Sequence, residues 1–324
     1  VGIQKGKDFS FIGAQEQRNI SAITTWKNLA FIGSDEATHS NGNYIQLFEK
    51  SGDDFAASEN GLVNLDGPEA RRVDGEDTLP EMDLEGLAVE GSNLYAIGSH
   101  SAKRRNVDAS DKTREKNRKR LMSAAEKQPS RDCLLKIELN EDGTKQSIAR
   151  TSLADYLDAT EPFKSHRSVA SKENGVDIEG LAVKDGYLYV GFRGPVLRGN
   201  YVPIIRFKFD ESPTDDNLLF VNLDGRGIRD LVAVENGLLI LAGPVGDTSL
   251  SYRLYHWNGK DQVPGKDVDG ESGLTTLGDL PLPEDGRQLK AEGVTLVKET
   301  AQTWELIVVF DGASRGSRYT VDVD

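Results

Sequence analysis

Asp83-Leu84-Glu85-Gly86-Leu87-Ala88-Val89 returns almost unchanged as Asp177-Ile178-Glu179-Gly180-Leu181-Ala182-Val183. Each copy is followed by a turn and a second apolar run, Asn93-Leu94-Tyr95-Ala96-Ile97-Gly98 in one and Tyr187-Leu188-Tyr189-Val190-Gly191 in the other. Blocks this similar, 94 residues apart, signal an internal repeat. Three weaker copies exist. Ile20-Ser21-Ala22-Ile23 precedes Asn28-Leu29-Ala30-Phe31-Ile32-Gly33, Ile228-Arg229-Asp230-Leu231 precedes Gly237-Leu238-Leu239-Ile240-Leu241, and Ala291-Glu292-Gly293-Val294 precedes Trp304-Glu305-Leu306-Ile307-Val308-Val309. Apolar, β-branched runs joined by turns such as Asp185-Gly186 and Asn236-Gly237 read as hairpins.

From Ser21 to Glu85 is 64 residues, from Glu85 to Glu179 is 94, to Arg229 a further 50, and to Glu292 a further 63. The long interval holds a foreign segment, residues 101–131, and without it the interval falls near the others. Five units of this length accommodate four-stranded blades. The expected fold is therefore an all-β, five-bladed β-propeller, with six blades as the alternative. One domain is expected over residues 1–324. Third strands are expected at Tyr44–Phe48, Leu134–Leu139, Ile204–Phe209 and Tyr252–Trp257. The fifth unit ends at Tyr319–Val323 and lacks a fourth strand, whereas Asp8–Ile12 precedes the first unit and has no blade of its own. The N-terminal strand is expected to complete the last blade and so remove an open edge.

Segment 101–131 carries 11 Lys or Arg against four Asp or Glu. Good helix formers run from Asp111 to Lys127, with Ser110 as the expected cap. It reads as a basic helical insertion in the second blade, either a solvated helix on the rim or a flap over the site. The chain as a whole is acidic, with a formal net charge of −14. That argues against non-specific binding to nucleic acid or an anionic membrane. A lone cysteine, Cys133, excludes an internal disulfide and reads as a buried structural thiol. No apolar run is long enough for a membrane-spanning helix. The expectation is a soluble monomer, cytoplasmic or exported after removal of a leader.

In a propeller the start of each innermost strand and the end of the next strand share one face. The position before the repeat glycine is Ser21, Glu85, Glu179, Arg229 and Glu292, which places these five around one mouth of the central channel. The second-strand exits, Asp35, Ser99-His100, Arg193, Pro244 and Asp311, fall beside them, as do His39 and His166. Converging carboxylates disfavour joint ionisation and call for a shared cation or proton. A hard divalent ion on Glu85, Glu179 and Glu292 is one solution, and Ca²⁺ or Mg²⁺ suits oxygen ligands. An Arg-centred ion-pair network that plugs the channel is the other. Gly86, Gly180 and Gly293 are expected where backbones approach closely. No nucleophile elbow or P-loop is present, and no spacing selects a Ser–His nucleophile pair.

Residues 83–104 (Asp-Leu-Glu-Gly-Leu-Ala, then Gly-Ser-His-Ser-x-Lys-Arg) and 177–197 (Asp-Ile-Glu-Gly-Leu-Ala, then Gly-Phe-Arg-Gly-Pro-Val-Leu) together resemble an uncharacterised bacterial domain-of-unknown-function family with a propeller-like fold. The likeness covers most of the chain and implies no activity. More loosely, the Glu-Gly pattern resembles esterase-like phytase and gluconolactonase-type propellers. In those, acidic residues at the mouth bind a divalent ion that serves hydrolysis of a phosphoester or lactone. The present chain departs from the lactonase pattern in its expected blade number and in Arg229.

Two functions follow as expectations. One is a metal-dependent hydrolase of an anionic small molecule. Glu85, Glu179 and Glu292 would hold the ion, Arg193, Arg229, Lys103, Arg104 and Arg105 would bind substrate oxygens, and His100 would act as acid/base. The other is a non-catalytic propeller that binds a ligand or a protein partner on the same face.

Overall fold

The computed structural model describes residues 2–16, 19–36, 42–66, 80–268, 273–284, 289–313 and 315–323. Four antiparallel strands recur five times along them. Sheet I is Ile20–Trp26, Leu29–Ser34, Tyr44–Ser51 and Asp54–Asn64, and sheet II is Leu84–Glu90, Asn93–Gly98, Leu134–Leu139 and Lys145–Thr151. Sheet III is Asp177–Lys184, Tyr187–Gly194, Tyr201–Phe207 and Leu218–Asn222, and sheet IV is Gly227–Val234, Gly237–Gly243, Arg253–Trp257 and Leu274–Asp279. Sheet V takes Lys290–Glu299, Thr303–Asp311 and Arg315–Asp322 from the end of the chain and Ile3–Ile12 from its beginning.

The expected closure by the N-terminal strand is present. Ile3 pairs with Val321 and Ser10 with Arg315 in antiparallel register. At its far end the same strand turns parallel to sheet I, with Phe11 opposite Phe55 and Ile12 opposite Ala56. An edge that would template association is thereby covered. Phe9, Phe11, Phe48 and Phe55 pack their rings at this seam, with Phe9 and Phe11 centroids 5.3 Å apart and edge-on.

The first strands of successive sheets lie side by side in order, and that of sheet V returns to that of sheet I. The repeat glycines show how tight this ring is. A Cβ at Gly86 would sit 2.7 Å from Leu181 Cβ, and one at Gly180 2.8 Å from Ile228 Cγ2. One at Gly293 would sit 3.1 Å from the Ile23 backbone nitrogen. Each glycine therefore admits the inner strand of the next sheet, as expected. A cavity of about 180 Å³ runs inside the ring, lined by residues 23–25, 87–89, 181–183, 231–233 and 294–296, the same three positions of each inner strand. Apolar cores fill the spaces between neighbouring sheets, which gives an all-β, propeller-like architecture. Ile178, Phe192, Ile204 and Trp257 belong to the largest core, and Leu47, Leu87 and Leu135 to the one between sheets I and II. Cys133 packs half-buried against the latter, and burial pushes its thiol up to about 12. No helix among the described residues is long and apolar enough to cross a membrane.

Two excursions leave sheet II. The basic one is present but its helix is short, Arg114–Met122, with no buried residue. Thr113 rather than Ser110 is the cap, its side chain accepting from the Lys116 N–H. Ser110 is unavailable because its hydroxyl and backbone N–H both donate to Asp108 Oδ1. Beyond Met122 the chain is extended, and Glu126–Lys127 pairs with Ala102–Lys103 in a two-stranded ribbon. The second excursion, residues 152–176, was not expected. It holds helices Ala154–Ala159 and Phe163–His166, anchored by the fully buried Leu157 and Phe163, the latter 4.5 Å from the Phe192 ring. Both excursions lie within the long 94-residue interval, so the unit free of long excursions is nearer the 50 residues of sheet III than the others.

Candidate functional site: the channel mouth

Each of the five residues that the repeat aligns sits in a β-bulge. On sheet II, Leu84 faces Gly98 and Gly86 faces Ile97, which leaves Glu85 as the extra residue. Glu179 lies in the same way between Ile178–Phe192 and Gly180–Gly191. Arg229, Glu292 and Ser21 repeat the pattern on their strands. A bulge inserts one unpaired residue and re-aims its side chain. Five bulges at one level therefore turn five side chains toward the same mouth.

Glu85, Glu179, Arg229, Glu292 and Ser21 all line one cavity of about 470 Å³ there, together with Arg193, Asp35 and Asp311. The Ser21 hydroxyl donates to the Leu84 carbonyl of the next strand. Lys103, Arg104 and Arg105 of the basic excursion also line the cavity, so that segment does reach the site. Arg104, however, is committed to both carboxylate oxygens of Glu173, at 2.6 and 3.1 Å, and Lys103 lies 3.8 Å from Glu81. Arg105 carries no ion pair among the described residues.

The centre of the ring is an Arg–carboxylate network. Arg193 Nη1 lies 2.7 Å from Glu179 Oε1, and its Nη2 pairs with Asp177. Arg229 Nε lies 2.9 Å from Glu179 Oε2, and its Nη2 pairs with Glu292. Both arginines and Asp177, Glu179 and Glu292 are buried. Asp177 supplies a partner the repeat did not single out. Its counterpart in the other strong copy, Asp83, pairs with Arg131 at 2.6 Å and accepts from the Ser99 hydroxyl. Burial, together with Glu179 and Asp83 and against the pull of Arg193, pushes Asp177 up to about 7.

Glu85 and Asp35 stand apart from this network, each without an ion pair among the described residues. Burial holds Glu85 well above the usual carboxylate range, and Asp83, Glu179 and Asp35 add to the effect. Asp35 is pushed up to about 7, first by burial and then by Asp83, and its Oδ1 lacks a hydrogen-bond partner. A carboxyl poised as Asp35 is holds or releases a proton near neutral pH.

The divalent-ion set expected on Glu85, Glu179 and Glu292 is not assembled. Both oxygens of Glu179 and one of Glu292 face guanidinium groups. Among the described residues no group of three or more His, Cys, Asp or Glu side chains is placed to hold a metal. The acid/base role expected of His100 finds no geometric basis either. The ring is fully buried and absent from the cavity wall, with Nδ1 2.9 Å from the Gly98 carbonyl and Nε2 accepting from the Leu153 N–H at 3.2 Å. Burial lowers its pKa to about 4, so it stays neutral and holds the second excursion to sheet II. His166 bonds the Pro162 carbonyl outside the cavity, and His39 lies outside the described residues.

Asp35 yields a signed prediction. Its folded pKa lies above the unfolded value, so stability is lost as pH rises from about 4 through 7. Asp35→Asn should raise stability at pH 8 by on the order of 2 kcal/mol, roughly half of what three pKa units carry, because cavity water screens the charge. Urea unfolding at pH 8 and pH 4 checks this, with no gain expected at pH 4. An equal gain at both values would show that the carboxylate charge is not the cause.

Residues 19–322 match the family described as "Protein of unknown function (DUF3616)". The chain belongs to that family. No curated protein matches it. Solved structures similar to this DUF3616 chain include an exo-β-1,3-galactanase from Clostridium thermocellum (10% identity, TM-score 0.49, 99% of this chain and 63% of that one). Others are a GH43 β-1,3-galactosidase (12%, 0.49, 97% and 58%) and an exo-β-1,3-galactanase from Phanerochaete chrysosporium with β-1,3-galactotriose (8%, 0.46, 99% and 64%). The DUF3616 chain thus spans less than two thirds of the length of these chains.

Proposed function

We propose that the protein is a single-domain, five-bladed propeller whose channel mouth binds a small anion that also bears hydroxyl or ammonium donors. The observation that carries this reading is the division of charge in the 470 Å³ cavity. Inner-strand starts and second-strand ends contribute Asp35, Asp83, Glu85, Asp177, Glu179, Glu292 and Asp311 along with Arg193, Arg229 and Lys290, whereas the two excursions contribute Lys103, Arg104, Arg105, Arg131 and Lys172 against one acid, Glu173. The arginines inside the ring are occupied by Asp177, Glu179 and Glu292. Glu85 and Asp35 are left to accept from ligand donors, and Arg105 and Lys172 to meet an anionic group. Mixed polar walls around a concave site favour a small molecule over a flat protein surface.

Calorimetric titration at pH 7 against hydroxy acids, sugar phosphates and amino acids tests the reading. At least one class should bind, and Glu85→Gln should weaken it about threefold to tenfold, the scale of one hydrogen bond. Binding indifferent to Glu85→Gln would sink the assignment. A second reading, hydrolysis of an anionic ester or lactone, draws support from Asp35, whose carboxyl is poised near 7 for acid–base work. Under that reading Asp35→Asn lowers kcat at least about 100-fold on a turned-over phosphoester or lactone. A kcat unchanged in Asp35→Asn would remove Asp35 from the chemistry.

A further inference from the structure

A second cavity of about 460 Å³ opens beside the mouth, and its walls differ in kind. It shares Lys172, Arg193, Arg229, Asp247 and Lys290 with the first cavity. Beyond them the loop 244–252 and its neighbours supply Val245, Leu250, Tyr252, Leu282 and Leu289. Leu250 and Leu282 are 41% and 36% exposed and give this cavity an accessible apolar wall. Four cations line this space against one carboxylate, Asp247, but Arg193 and Arg229 are paired with Asp177, Glu179 and Glu292, and Lys290 lies 2.9 Å from Asp311, which leaves Lys172 as the cation for a ligand.

Tyr252 supplies a polar group in the same wall. The residue as a whole is 7% exposed, and its hydroxyl, which makes no hydrogen bond among the described residues, is open to the cavity rather than sealed in the core, so it is available to a ligand. Burial also holds its pKa above the usual value, so it remains a donor at neutral pH. Lys172 is likewise without an ion pair among the described residues and stands where the two cavities meet.

We propose that the second cavity is a subsite for the apolar body of an anionic ligand, whose carboxylate or phosphate sits at the junction of the two compartments. Lys172 and the Tyr252 hydroxyl hold the anionic group, and Val245, Leu250, Leu282 and Leu289 cover the body. Arg193 and Arg229, fixed by Glu179, form the partition between the compartments. This deepens the reading of the mouth by assigning the ligand a class, an amphipathic anion with an aliphatic or aromatic tail, but the subsite stands on its own walls.

The test uses the intact protein and two probe pairs at pH 7: hexanoate against 1-hexanol, and phenyl phosphate against phenol. Calorimetry or ligand-observed NMR should show the anion of each pair binding at least about tenfold more tightly than the neutral molecule, one charged hydrogen bond being worth that much. Lys172→Glu, on the surface and harmless to folding, should abolish anion binding. Tyr252→Phe, which removes only the hydroxyl, should weaken it about threefold to tenfold. Leu282→Ser should weaken hexanoate while leaving inorganic phosphate unaffected. Equal binding of anion and neutral probe, or anion binding indifferent to both Lys172→Glu and Tyr252→Phe, overturns the subsite. Hexanoate bound in the expected way while all polar hydroxy acids and sugar phosphates fail would keep the subsite and remove the mouth reading.

Discussion

Arg229→Met is expected to destabilise the fold by about 3–5 kcal/mol at pH 7, the usual cost of removing one partner from a buried ion pair. The guanidinium touches Glu179 through Nε and Glu292 through Nη2, and all three side chains are buried. Without it Arg193 alone faces Asp177 and Glu179, and Glu292 loses the cation that balances it. Methionine fills much of the same volume, so the loss reports charge rather than a cavity. The penalty should shrink as pH falls toward 5, because the orphaned carboxyls then take up protons, which the loss of a cation makes easier. Urea unfolding at pH 5 and pH 7 measures both. Arg105→Met, on an exposed side chain, should change stability by no more than about 0.5 kcal/mol. A loss at Arg229 that is equally small would mean that the network does not hold the mouth together.

The second large effect is expected at Gly180→Val, with a loss of about 3 kcal/mol or more from overpacking. A Cβ there would lie 2.8 Å from Ile228 Cγ2 and 3.0 Å from Leu231 Cγ, side chains that are fixed in the core between sheets III and IV. The nearby backbone carbon of Asp230, at 3.3 Å, cannot retreat either, because Asp230 itself accepts from the Leu231 and Val294 N–H groups. Gly186→Ala makes the contrast, since nothing lies within 4 Å and only the positive φ of 76° is lost. That change should cost about 1 kcal/mol. Thermal melts of both variants decide the matter. A tolerated Gly180→Val would show that the inner strands are not in contact at this level.

The two residues changed here, Arg229 and Gly180, come from the same repeated motif, and they mark how far the sequence reads. Glycine before an apolar run recurs because neighbouring inner strands must fit side by side, so the repeat was visible as sequence. The strand that closes sheet V was visible too, because Asp8–Ile12 alternates polar with apolar residues, Phe9 and Phe11 on one face, and belonged to no other unit. The position before the glycine could be aligned, which brought Glu85, Glu179, Arg229, Glu292 and Ser21 together. What could not be read was pairing. Bulges are a matter of register, and no residue type announces them. The repeat suggested that three glutamates share an ion, whereas Arg193 and Arg229 lie between them, a fact of side-chain direction. Asp83 and Asp177 were recognisable only as a shared first letter of the motif. Asp35 was placed at the mouth as a strand exit, but its poise near 7 depends on burial, which no sequence window contains. His100 failed for a related reason. Proximity in sequence to a strand end put it near the mouth, and one left-handed residue, with φ of 50°, turns the chain there. The second excursion went unnoticed because its helices are short, six and four residues, below what periodicity resolves.

The strand Ile3–Ile12 has a consequence for the order of events during synthesis. Ribosomes deliver it before the other described strands, yet its antiparallel partner, Arg315–Asp322, is the last of them to be made. For most of translation it has only sheet I to meet, through Phe11 and Ile12 beside Phe55 and Ala56, and its long antiparallel ladder over residues 3–10 has no partner. Its docking closes a loop of about 300 residues, the slowest kind of contact to form. Folding should therefore end in a late step in which this strand is captured by Arg315–Asp322, and a nascent chain stalled before residue 315 should be open to proteolysis within residues 3–8 although the middle sheets already resist it.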